Sequence, residues 1–350
     1  MVFGKIHSMP IDPHILSQAC QLYATSPDLL ISLSGGFSNA VYNFPLAQSS
    51  QDPIQTMQAS KYGVLRIGVE DCPPEQTLGM LEWVRFLSEQ GAPVTAPLPS
   101  INNLLLEQLE QDGTRYVLTA FEEAQGTLAE RIPPNDWTDD LFRNIGKAAG
   151  KFHRISRSYH PSSSALTRPM WFDSYEILEA TKLFSTTSDP AHEKLTSLIS
   201  ELKDLSNSSA DFGLIHEDLH FANFLILPDG QPIIIDFDDC SYGWFAIDVA
   251  MALFDILVLL NPTSEADKQA FAHRFLSNYL SGYRLENDLP SFWQRQIPHF
   301  LKLKELCIYA TLIGHADITQ LDSWGGRFMR GRAERIANDV PYVDIDFAIL

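Results

Sequence analysis

The first third of the chain consists of short apolar runs separated by glycine and polar residues. Four runs of strand length lie there, at residues 30–33, 40–44, 60–69 and 116–121. The first two flank the segment 34–39, whose two glycines favour a hairpin with a flexible tip. Between the later two, residues 72–90 repeat apolar side chains at helical spacing, and Gly91 and Pro93 follow. This part is therefore predicted to be a small sheet with one helix.

The rest of the chain is dominated by helical periodicity. Helices are predicted at residues 137–155 and 191–205, and mostly helical structure is predicted from residue 247 onward. Three short apolar runs, which suit small strands around a loop, lie at residues 213–215, 224–227 and 232–235. Residues 156–187 are polar and aromatic and show little periodicity.

The pattern as a whole predicts an α+β protein in two parts. Residues 1–121 would form a small, β-rich N-terminal lobe, and residues 122–350 a larger, mainly helical C-terminal lobe. A chain of 350 residues is long enough for two lobes that each bury a core. A cleft between two such lobes is a natural ligand site.

Composition and charge narrow the possible partners. The hydrophobic content of 45% and the charged content of 20% are those of a well-packed globular protein. A formal net charge of −19, without a visible basic face, argues against nucleic acid and against an anionic membrane surface as partners. The longest apolar run near a helix, residues 249–260, contains Asp255 and is too short to span a bilayer.

The cysteines and the N-terminus favour a cytoplasmic protein. Four cysteines are scattered without a CxxC pair, at Cys20, Cys72, Cys240 and Cys307. This spacing argues against a disulfide scaffold and against a structural zinc site. The first twelve residues lack the apolar core of a signal peptide. We therefore expect a reducing compartment.

The segment 215–237 reads IHEDLHFANFLILPDGQPIIIDF and contains two overlapping motifs. The first is HExxH, formed by His216, Glu217 and His220, which on a helix binds zinc with the glutamate as general base. The apolar runs on both sides predict strands, so the motif is expected in a loop rather than on a helix. A zinc hydrolase is therefore the weaker alternative.

The second motif is His216-x-Asp218-xxxx-Asn223, followed by two apolar runs and Asp236. Its order and spacing match the catalytic loop and the metal-binding aspartate of kinases. In this pattern Asp218 accepts the proton of an acceptor hydroxyl or orients it. Asn223 and Asp236 supply the hard oxygen ligands that Mg²⁺ prefers beside the phosphates of ATP.

These residues resemble the catalytic segment of the aminoglycoside phosphotransferase superfamily, which includes choline kinases and homoserine kinases. The resemblance implies a protein-kinase-like, two-lobed fold and ATP-dependent phosphate transfer to a hydroxyl of a small molecule. The sequence DFDD at residues 236–239 fits this family better than the DFG of protein kinases, and no APE segment is evident. A protein Ser/Thr kinase of the same fold and a nucleotide-binding pseudokinase are the alternatives, and the complete motif argues against the pseudokinase.

The resemblance also implies nucleotide-binding roles upstream. The phosphate-covering hairpin is expected at residues 34–39, with the candidates Gly35, Gly36, Ser38 and Asn39. Arg66 on the third predicted strand would contact the phosphates, with Lys61 as a second candidate. An arginine offers a planar fork where protein kinases use the point charge of a lysine.

Two further positions complete the expected nucleotide site. Glu82, on the predicted helix 72–90, is the candidate to orient Arg66, with Glu75 and Glu89 as alternatives nearer the helix ends. The strand that ends at Phe121 would be the hinge between the lobes, and its backbone would bind the adenine edge.

Four further residues of the predicted C-terminal lobe are expected to support the loop or the core around it. Asp248, at the start of a predicted helix, would hydrogen-bond the backbone of the catalytic loop. His216 is a catalytic candidate together with Asp218, and its expected role is to hold the same loop in place. His153 is predicted to be a hydrogen-bonded core residue, because it lies on an apolar helix face. His220 is expected to be a loop or substrate-side residue.

The residues that follow the metal-binding aspartate are candidates for the acceptor site. Asp238, Asp239 and Tyr242 would suit an amine or amino alcohol through charge pairing and cation–π contact. Other aromatic residues that could contribute are Trp171, Phe172, Trp244, Tyr309 and Trp324. The identity of the acceptor, the choice between ATP and GTP and the oligomeric state do not follow from the sequence.

Overall fold

The structure is a computed structural model that describes residues 11–33, 39–46, 62–185, 189–315 and 324–349. The chain divides into two compact units. The first comprises residues 1–126, 159–167 and 233–238, and the second comprises residues 127–158, 168–232 and 239–350. Two short segments thus return to the first unit after the chain has entered the second. Across the described ranges, every helix is too short or too polar to cross a bilayer.

An antiparallel sheet is the framework of the first unit. Its strands are β1 (Ile31–Leu33), β2 (Asn39–Pro45), β3 (Tyr62–Val69), β4 (Pro97–Leu98), β5 (Leu106–Gln111) and β6 (Thr114–Glu122). The strand order is β1-β2-β3-β6, and both β4 and β5 pair with β6. The predicted hairpin is confirmed, because β1 and β2 pair antiparallel with Leu33 opposite Val41.

Alternation along β3 separates the core of the first unit from its candidate site. Leu65 and Ile67 are fully buried, and they form a core cluster with Ile15 and Ala19 of helix α1 (Pro13–Leu22). Arg66 lies between them in sequence and therefore points to the opposite face of the sheet. Helix α2 (Pro74–Glu89), which the spacing of apolar residues predicts, follows β3.

The second unit is mainly helical. Its helices are α3 (Asp139–Ser156), α4 (Tyr175–Ser185), α5 (Ala191–Lys203), α6 (Phe245–Leu260), α7 (Glu265–Tyr283), α8 (Ser291–Gln294), α9 (Ile297–His315), α10 (Trp324–Met329) and α11 (Arg332–Ala337). Its short strands are β7 (Thr127–Leu128), β8 (Phe212–Ile215), β9 (Phe224–Ile226) and β11 (Ser241–Trp244), while β10 (Pro232–Ile234) lies at a boundary between the units. The antiparallel pair of β8 and β11 positions the loop that carries the HExxH letters.

Most predicted elements are confirmed with shifts of one to two residues at their ends, whereas helix α1, strand β5 and helix α4 were not predicted. Helix α4 is the longest of these. It lies in the polar stretch for which no periodicity was evident. Its buried residues Ile177, Ala180 and Phe184 do follow a helical spacing, but they are only three positions among polar neighbours. A pattern this sparse does not separate a surface helix from a loop.

Helices α3 and α7 approach each other backbone to backbone. A Cβ atom on Gly146 would lie 1.9 Å from the carbonyl oxygen of Tyr279, and one on Gly282 would lie 1.9 Å from that of Arg143. No real side chain fits at such distances. The two glycines therefore set the separation of the two helices.

The substitution Gly146→Ala is expected to lower the free energy of unfolding by about 2 kcal/mol, because the new methyl group must push α3 away from α7. Urea denaturation followed by circular dichroism measures this change. Lys147→Ala is the matched control, since Lys147 is exposed on the same helix and should change the free energy by less than about 0.5 kcal/mol. Equal losses in the two variants would contradict the close approach.

Candidate active site

The residues predicted to cover the phosphates lie only partly within the described structure. Gly35, Gly36 and Ser38 belong to residues 34–38, which fall outside the described ranges. Asn39 is the first residue of β2, where it is paired with β3 and half-buried. The phosphate-binding role of these four residues stays a prediction.

Arg66 contacts two carboxylates of the segment that follows β10. Its guanidinium forms a bidentate contact with the Asp238 carboxylate, in which Nη1 donates to Oδ1 at 3.2 Å and Nη2 donates to Oδ2. The same Nη1 lies 3.4 Å from Oδ1 of Asp236. The guanidinium carbon is also 5.9 Å from the ring centroid of Phe121. The predicted phosphate-binding cation and the predicted metal ligand Asp236 are therefore neighbours in the first unit.

Phe237 anchors the two aspartates that flank it. Its buried ring packs edge-on against Trp83 of α2, with centroids 5.3 Å apart, whereas Asp236 and Asp238 are exposed. Asp236 has a backbone φ of 65°, in the left-handed region that costs a non-glycine residue about 1–2 kcal/mol. Such conformations concentrate at functional sites, where the surrounding structure holds them.

The structure corrects the expected role of Glu82 and shows Asp238 in contact with Arg66. The Glu82 carboxylate accepts hydrogen bonds from the Tyr159 hydroxyl at 2.9 Å and from the Ser162 N–H at 3.0 Å. Burial raises the pKa of Glu82, but these bonds outweigh it and lower the pKa. Glu82 thus ties residues 159–162 to α2 and is not the partner of Arg66. Asp238 is the carboxylate that contacts Arg66, and its role in acceptor binding stays a prediction.

The expected adenine contact at Phe121 is also corrected. Phe121 is paired on both sides within the sheet, with Val64 of β3 and with Pro97 of β4. Strand hydrogen bonding continues to Glu123, whose N–H donates to the carbonyl of Tyr62 at 3.1 Å. The backbone at Phe121 is therefore committed to the sheet, and the stretch that follows Glu123 is the better candidate for the adenine edge.

In the second unit, residues 216–220 form an irregular loop between β8 and a 3₁₀ turn at Phe221–Asn223. The HExxH residues His216, Glu217 and His220 therefore do not lie on an α-helix. The described part of the chain also contains no group of three or more His, Cys, Asp or Glu side chains suited to a metal ion. The zinc-hydrolase alternative thus lacks the geometry that it requires.

Asp248 fastens this loop to α6, as predicted. Its fully buried carboxylate accepts hydrogen bonds from the N–H groups of His216 at 2.9 Å and Glu217 at 2.8 Å. His153 Nε2 lies 3.0 Å from the same carboxylate, and His153 Nδ1 lies 2.9 Å from the hydroxyl of Tyr283. Burial lowers the pKa of His153, although Asp248 opposes that shift. The predictions for Asp248 and His153 are both confirmed.

Asp218 lies between two cationic or proton-donating groups. Its Oδ2 is 3.0 Å from His220 Nε2, and its Oδ1 is 3.8 Å from Lys304 Nζ. The Nδ1 atom of His220 accepts a hydrogen bond from the Ala222 N–H at 3.1 Å, which leaves Nε2 as the donor to Asp218. Burial raises the pKa of Asp218, but His220 and Lys304 outweigh burial and lower it. Asp218 is therefore an ionised carboxylate at neutral pH.

Lys304 is a site residue that the sequence did not indicate. It lies on α9, and its Nζ is 2.6 Å from Oε1 of Glu176 on α4. Burial lowers the pKa of Lys304, but the charges of Glu176 and Asp218 outweigh burial and raise it. The lysine thus stays charged and bridges Asp218 to a helix that sequence periodicity did not reveal.

Asn223 is oriented by the loop that it closes. Its Nδ2 donates a hydrogen bond to the backbone carbonyl of Asp218 at 2.9 Å, and the residue is buried. With the amide nitrogen used in this way, Oδ1 is the atom left to bind a cation. This arrangement suits the predicted metal ligand.

The match to known families decides the assignment. Residues 33–288 match the family described as "Phosphotransferase enzyme family". The chain belongs to this family. The match spans the sheet of the first unit and, in the second unit, both the catalytic loop and α6.

Related proteins agree with this membership. The amicoumacin kinase of Bacillus subtilis (strain 168) is 32% identical over 274 residues, which is 78% of this chain and 80% of that protein. An uncharacterized protein of Synechocystis sp. (strain ATCC 27184 / PCC 6803 / Kazusa), sll1119, is 25% identical over 199 residues, or 54% of this chain and 53% of its own.

Solved structures show the same fold. The amicoumacin kinase hAmiN in complex with AMP-PNP, Ca²⁺ and Ami is 28% identical with a TM-score of 0.82, covering 96% of each chain. A microcompartment-associated aminopropanol kinase, at 21% identity and a TM-score of 0.64, covers 94% of this chain and 98% of its own. A spectinomycin phosphotransferase in complex with ADP, at 14% identity and a TM-score of 0.59, resembles the chain in fold.

The predicted fold class and enzyme class are thereby confirmed. This phosphotransferase has a protein-kinase-like fold and is an ATP-dependent small-molecule kinase that acts on a hydroxyl group. The protein Ser/Thr kinase alternative is not favoured. ATP with a divalent metal is supported as the cofactor set, and a nucleotide and a small molecule are its substrates.

Glu217, which directly precedes Asp218 in this kinase, has an unusual environment. Its backbone φ is 68°. Burial raises the pKa of its carboxyl to about 8, with further raising by Glu176 and Asp239 and an opposing effect of Ser174 and Ser241. The sequence indicated Glu217 only as the base of a zinc motif. The signal available in the sequence was a glutamate, rather than a residue typical of turns, directly before Asp218.

Two acceptor candidates remain, Asp239, which lies near the Glu217 carboxyl, and Tyr242, which lies on β11. Asp239 is exposed and near enough to influence the pKa of Glu217. Tyr242 is half-buried on β11, where its N–H donates to the Pro169 carbonyl at 2.8 Å. Trp171 lines a cavity that also exposes Glu176 and Lys304. Acceptor binding by Asp239 and Tyr242 stays a prediction.

Proposed function

We propose that the acceptor of this kinase is a hydroxyl on a small molecule that also carries an amine, and that Mg²⁺ is its metal. The observation that carries the proposal is the arrangement around Asp218. An ionised aspartate is held by His220 and Lys304, and Lys304 also lines a cavity with Glu176, Glu217 and apolar side chains. Such a carboxylate suits a neutral hydroxyl as its immediate partner, and the neighbouring carboxyl groups are proposed to meet a cationic group elsewhere on the same molecule.

In the proposed reaction, the acceptor oxygen forms a bond to the γ-phosphorus of ATP while the bond from that phosphorus to the β–γ bridging oxygen breaks. ADP leaves with the bridging oxygen, and the hydroxyl proton passes to Asp218. The lowered pKa of Asp218 makes it a weak base, so its main task is to orient the hydroxyl. That division of labour suits phosphoryl transfer, in which positioning and charge stabilisation dominate over proton abstraction.

The chain's own residues fit a hard divalent cation. Oδ1 of Asn223 and the exposed carboxylate of Asp236 are the proposed ligands, and both present oxygen atoms, which Mg²⁺ prefers. When bound, the ion would offset the negative charge of the ATP phosphates. His216 is proposed to act through the loop by keeping Asp218 in place.

The nucleotide is proposed to bind residues of the N-terminal part, 1–121, and the stretch directly after it. Arg66 would contact the phosphates together with the hairpin residues Gly35, Gly36, Ser38 and Asn39. The adenine edge would meet the backbone after Glu123. The remaining residues, 122–350, would provide catalysis and acceptor binding.

Two named relatives support an amine-bearing acceptor. One acts on amicoumacin and another on aminopropanol, as their names state. Glu176 and Glu217 line the cavity near Asp218 together with Lys304 and apolar side chains, and Asp239 lies close to Glu217; these carboxyl groups are the proposed partners of an ammonium group. A protein acceptor has no comparable support.

The proposed function is tested by an acceptor panel. Purified protein with ATP and Mg²⁺ is incubated with amicoumacin, 1-amino-2-propanol, spectinomycin or casein, and ADP release is followed with and without EDTA. We expect acceptor-dependent ADP release with at least one amine-bearing alcohol, its loss in EDTA and its return with Mg²⁺. Casein should give no stimulation. Phosphorylation of casein, or ADP release that no small acceptor increases, would contradict the proposal.

A further inference from the structure

A second cavity of the helical unit lies at the C-terminal end of α6, away from the catalytic loop. It measures about 370 Å³, and Asn261, which ends α6, is part of its lining. Asp248, which fastens the catalytic loop, lies about 20 Å away along the axis of the same helix. This cavity shares no described lining residue with the cavity that contains Lys304. It is therefore separate from the surroundings of Asp218.

The lining of this second cavity is basic, although the chain as a whole is acidic. The chain has 44 acidic and 25 basic residues, whereas the described lining has five basic side chains and one carboxylate, Glu265. The local balance of charge is thus the reverse of the overall one, which favours an anion as the ligand. The five basic residues are Lys268 of α7, Arg327 of α10, Arg330, and Arg332 and Arg335 of α11.

Two carboxylates compensate part of this positive charge. Arg335 Nη1 donates to Oε1 of Glu265 at 3.0 Å. Arg332 forms an ion pair with the fully buried carboxylate of Glu305, which also accepts a hydrogen bond from Lys302 at 3.0 Å. Glu305 is therefore shared between two cations. Its single negative charge does not neutralise both of them.

Lys268 shows the effect of the positive charge that remains. Its Nζ donates to the backbone carbonyl of Tyr342, which is a neutral group, and lies 4.1 Å from the centroid of the Tyr342 ring. Burial, together with the charges of Arg332 and Arg335, lowers the pKa of Lys268 to about 8, although two carboxylates oppose the shift. A bound anion would offset the repulsion among these three cations.

The size and the walls of the cavity indicate an organic anion. Its volume lies within the range of small-molecule sites, about 300–1,000 Å³, and a lone inorganic ion would fill only a small part of it. Aromatic surface comes from Trp324, Phe328 and Tyr342, and Trp324 stacks on Phe328 with ring centroids 5.6 Å apart. These rings suit the organic part of a ligand.

The arginines favour phosphate over a single carboxylate. A guanidinium group binds phosphate oxygens through two parallel N–H donors. A phosphate monoester carries a charge of about −1.5 to −2 at neutral pH and three acceptor oxygens. A monocarboxylate has only one negative charge and two oxygens. The phosphate monoester therefore meets more of the positive charge in this cavity.

We infer that the cavity at the C-terminal end of α6 is a second ligand site, which binds a phosphate monoester that carries an organic group. The phosphate would contact Lys268 and Arg330, and the organic group would lie against Trp324. This site is distinct from the proposed nucleotide and acceptor sites. It depends neither on the identity of the acceptor nor on the metal, so it goes beyond the proposed function.

Isothermal titration calorimetry with the full-length protein tests the site, with and without saturating AMP-PNP and Mg²⁺. Phenyl phosphate, benzoate and inorganic phosphate are titrated separately. We expect the wild-type protein to bind phenyl phosphate at least about tenfold more tightly than either other probe, with the same affinity whether or not AMP-PNP is present. This independence distinguishes the cavity from the nucleotide site.

Two variants and a control locate the binding. Arg330→Gln and Lys268→Gln should each weaken phenyl phosphate binding at least about fivefold, because each removes a charge-assisted hydrogen bond. Arg330 is exposed, so the melting temperature of Arg330→Gln should match that of the wild-type protein. A glutamine at position 268 keeps an N–H donor. Arg295→Gln, which removes an exposed arginine elsewhere in the same unit, should bind phenyl phosphate as the wild-type protein does.

Three results would overturn the inference: displacement of phenyl phosphate by AMP-PNP, equal affinity for phenyl phosphate and benzoate or inorganic phosphate, and wild-type affinity in both Arg330→Gln and Lys268→Gln. Failure of the proposed function is a separate outcome. It would appear as ADP release that no acceptor of the panel increases, and it would leave the calorimetric result unchanged.

Discussion

The substitution Asp218→Asn is expected to lower kcat by about a thousandfold. The asparagine keeps the size of the side chain, but it can no longer take the hydroxyl proton or attract it with a full negative charge. The measurement is steady-state ADP release with the acceptor that the panel selects. Because the change affects orientation and proton transfer at the acceptor, kcat should fall far more than the KM for ATP rises.

The surroundings of Asp218 explain why the variant should still fold. Lys304 keeps Glu176 as its partner at 2.6 Å, so the loss of the aspartate charge does not leave the lysine unpaired. His220 can donate to the asparagine side-chain oxygen as it does to Oδ2. AMP-PNP affinity should change by less than about threefold, within ordinary limits for a group not in contact with the nucleotide.

The control for this variant is Asp229→Asn, an exposed aspartate of the same unit whose Oδ1 accepts a hydrogen bond from the Gln231 N–H at 3.0 Å. Asparagine preserves that contact, so kcat should stay unchanged. An Asp218→Asn enzyme with more than a tenth of the wild-type kcat would show that Asp218 is not the group that engages the hydroxyl.

The substitution Asp248→Ala is expected to lower the free energy of unfolding by about 4 kcal/mol. The carboxylate is fully buried and accepts hydrogen bonds from two backbone N–H groups of the catalytic loop, and His153 lies 3.0 Å away. Alanine leaves these three donors buried without an acceptor. Activity should fall as well, because His216 and Glu217 directly precede Asp218 and the loop loses its attachment to α6.

Chemical denaturation at neutral pH measures the change in the free energy of unfolding. The control is Asp288→Ala, since Asp288 is an exposed residue that follows α7. The control should change the free energy by less than about 0.5 kcal/mol. A loss of under 1 kcal/mol in Asp248→Ala would mean that the loop is held by other contacts.

The catalytic residues could be proposed from the sequence because the motif that indicates them is local. His216, Asp218 and Asn223 lie within eight consecutive residues, and their spacing is required by the reaction rather than by distant packing. The attachment of the loop by Asp248 was also predictable, since an aspartate that enters an apolar helix has few other partners.

Contacts that depend on which face an element presents could not be predicted. Spacing along α2 made Glu82 the natural partner for Arg66, but the helix directs Glu82 to Tyr159 and Ser162 instead. The partner that the structure shows, Asp238, is far from Arg66 along the chain and joins the first unit only because residues 233–238 return to it. The local pattern of apolar and polar residues does not show which distant segment will pack against a given strand.

The residues around Asp218 that come from other helices could not be predicted from the sequence for a similar reason. Lys304 lies in a long apolar helix, where a lysine ordinarily reaches solvent, and Glu176 lies in a polar stretch that showed no helical pattern. Only their meeting at 2.6 Å, next to Asp218, makes them site residues. Glu217 carried one local signal, its place before the catalytic aspartate, but its left-handed backbone and buried carboxyl are properties of the folded loop.

The most direct test of the account is the structure of the product. The wild-type protein is incubated with ATP, Mg²⁺ and the amine-bearing alcohol that the panel selects, and the mixture is examined by phosphorus–proton correlation NMR. The account predicts a new phosphate monoester whose phosphorus couples to the proton on the hydroxyl-bearing carbon, formed in equal amount to ADP. Inorganic phosphate as the only new phosphorus species, or phosphorus coupled to the amine-bearing carbon, would contradict it.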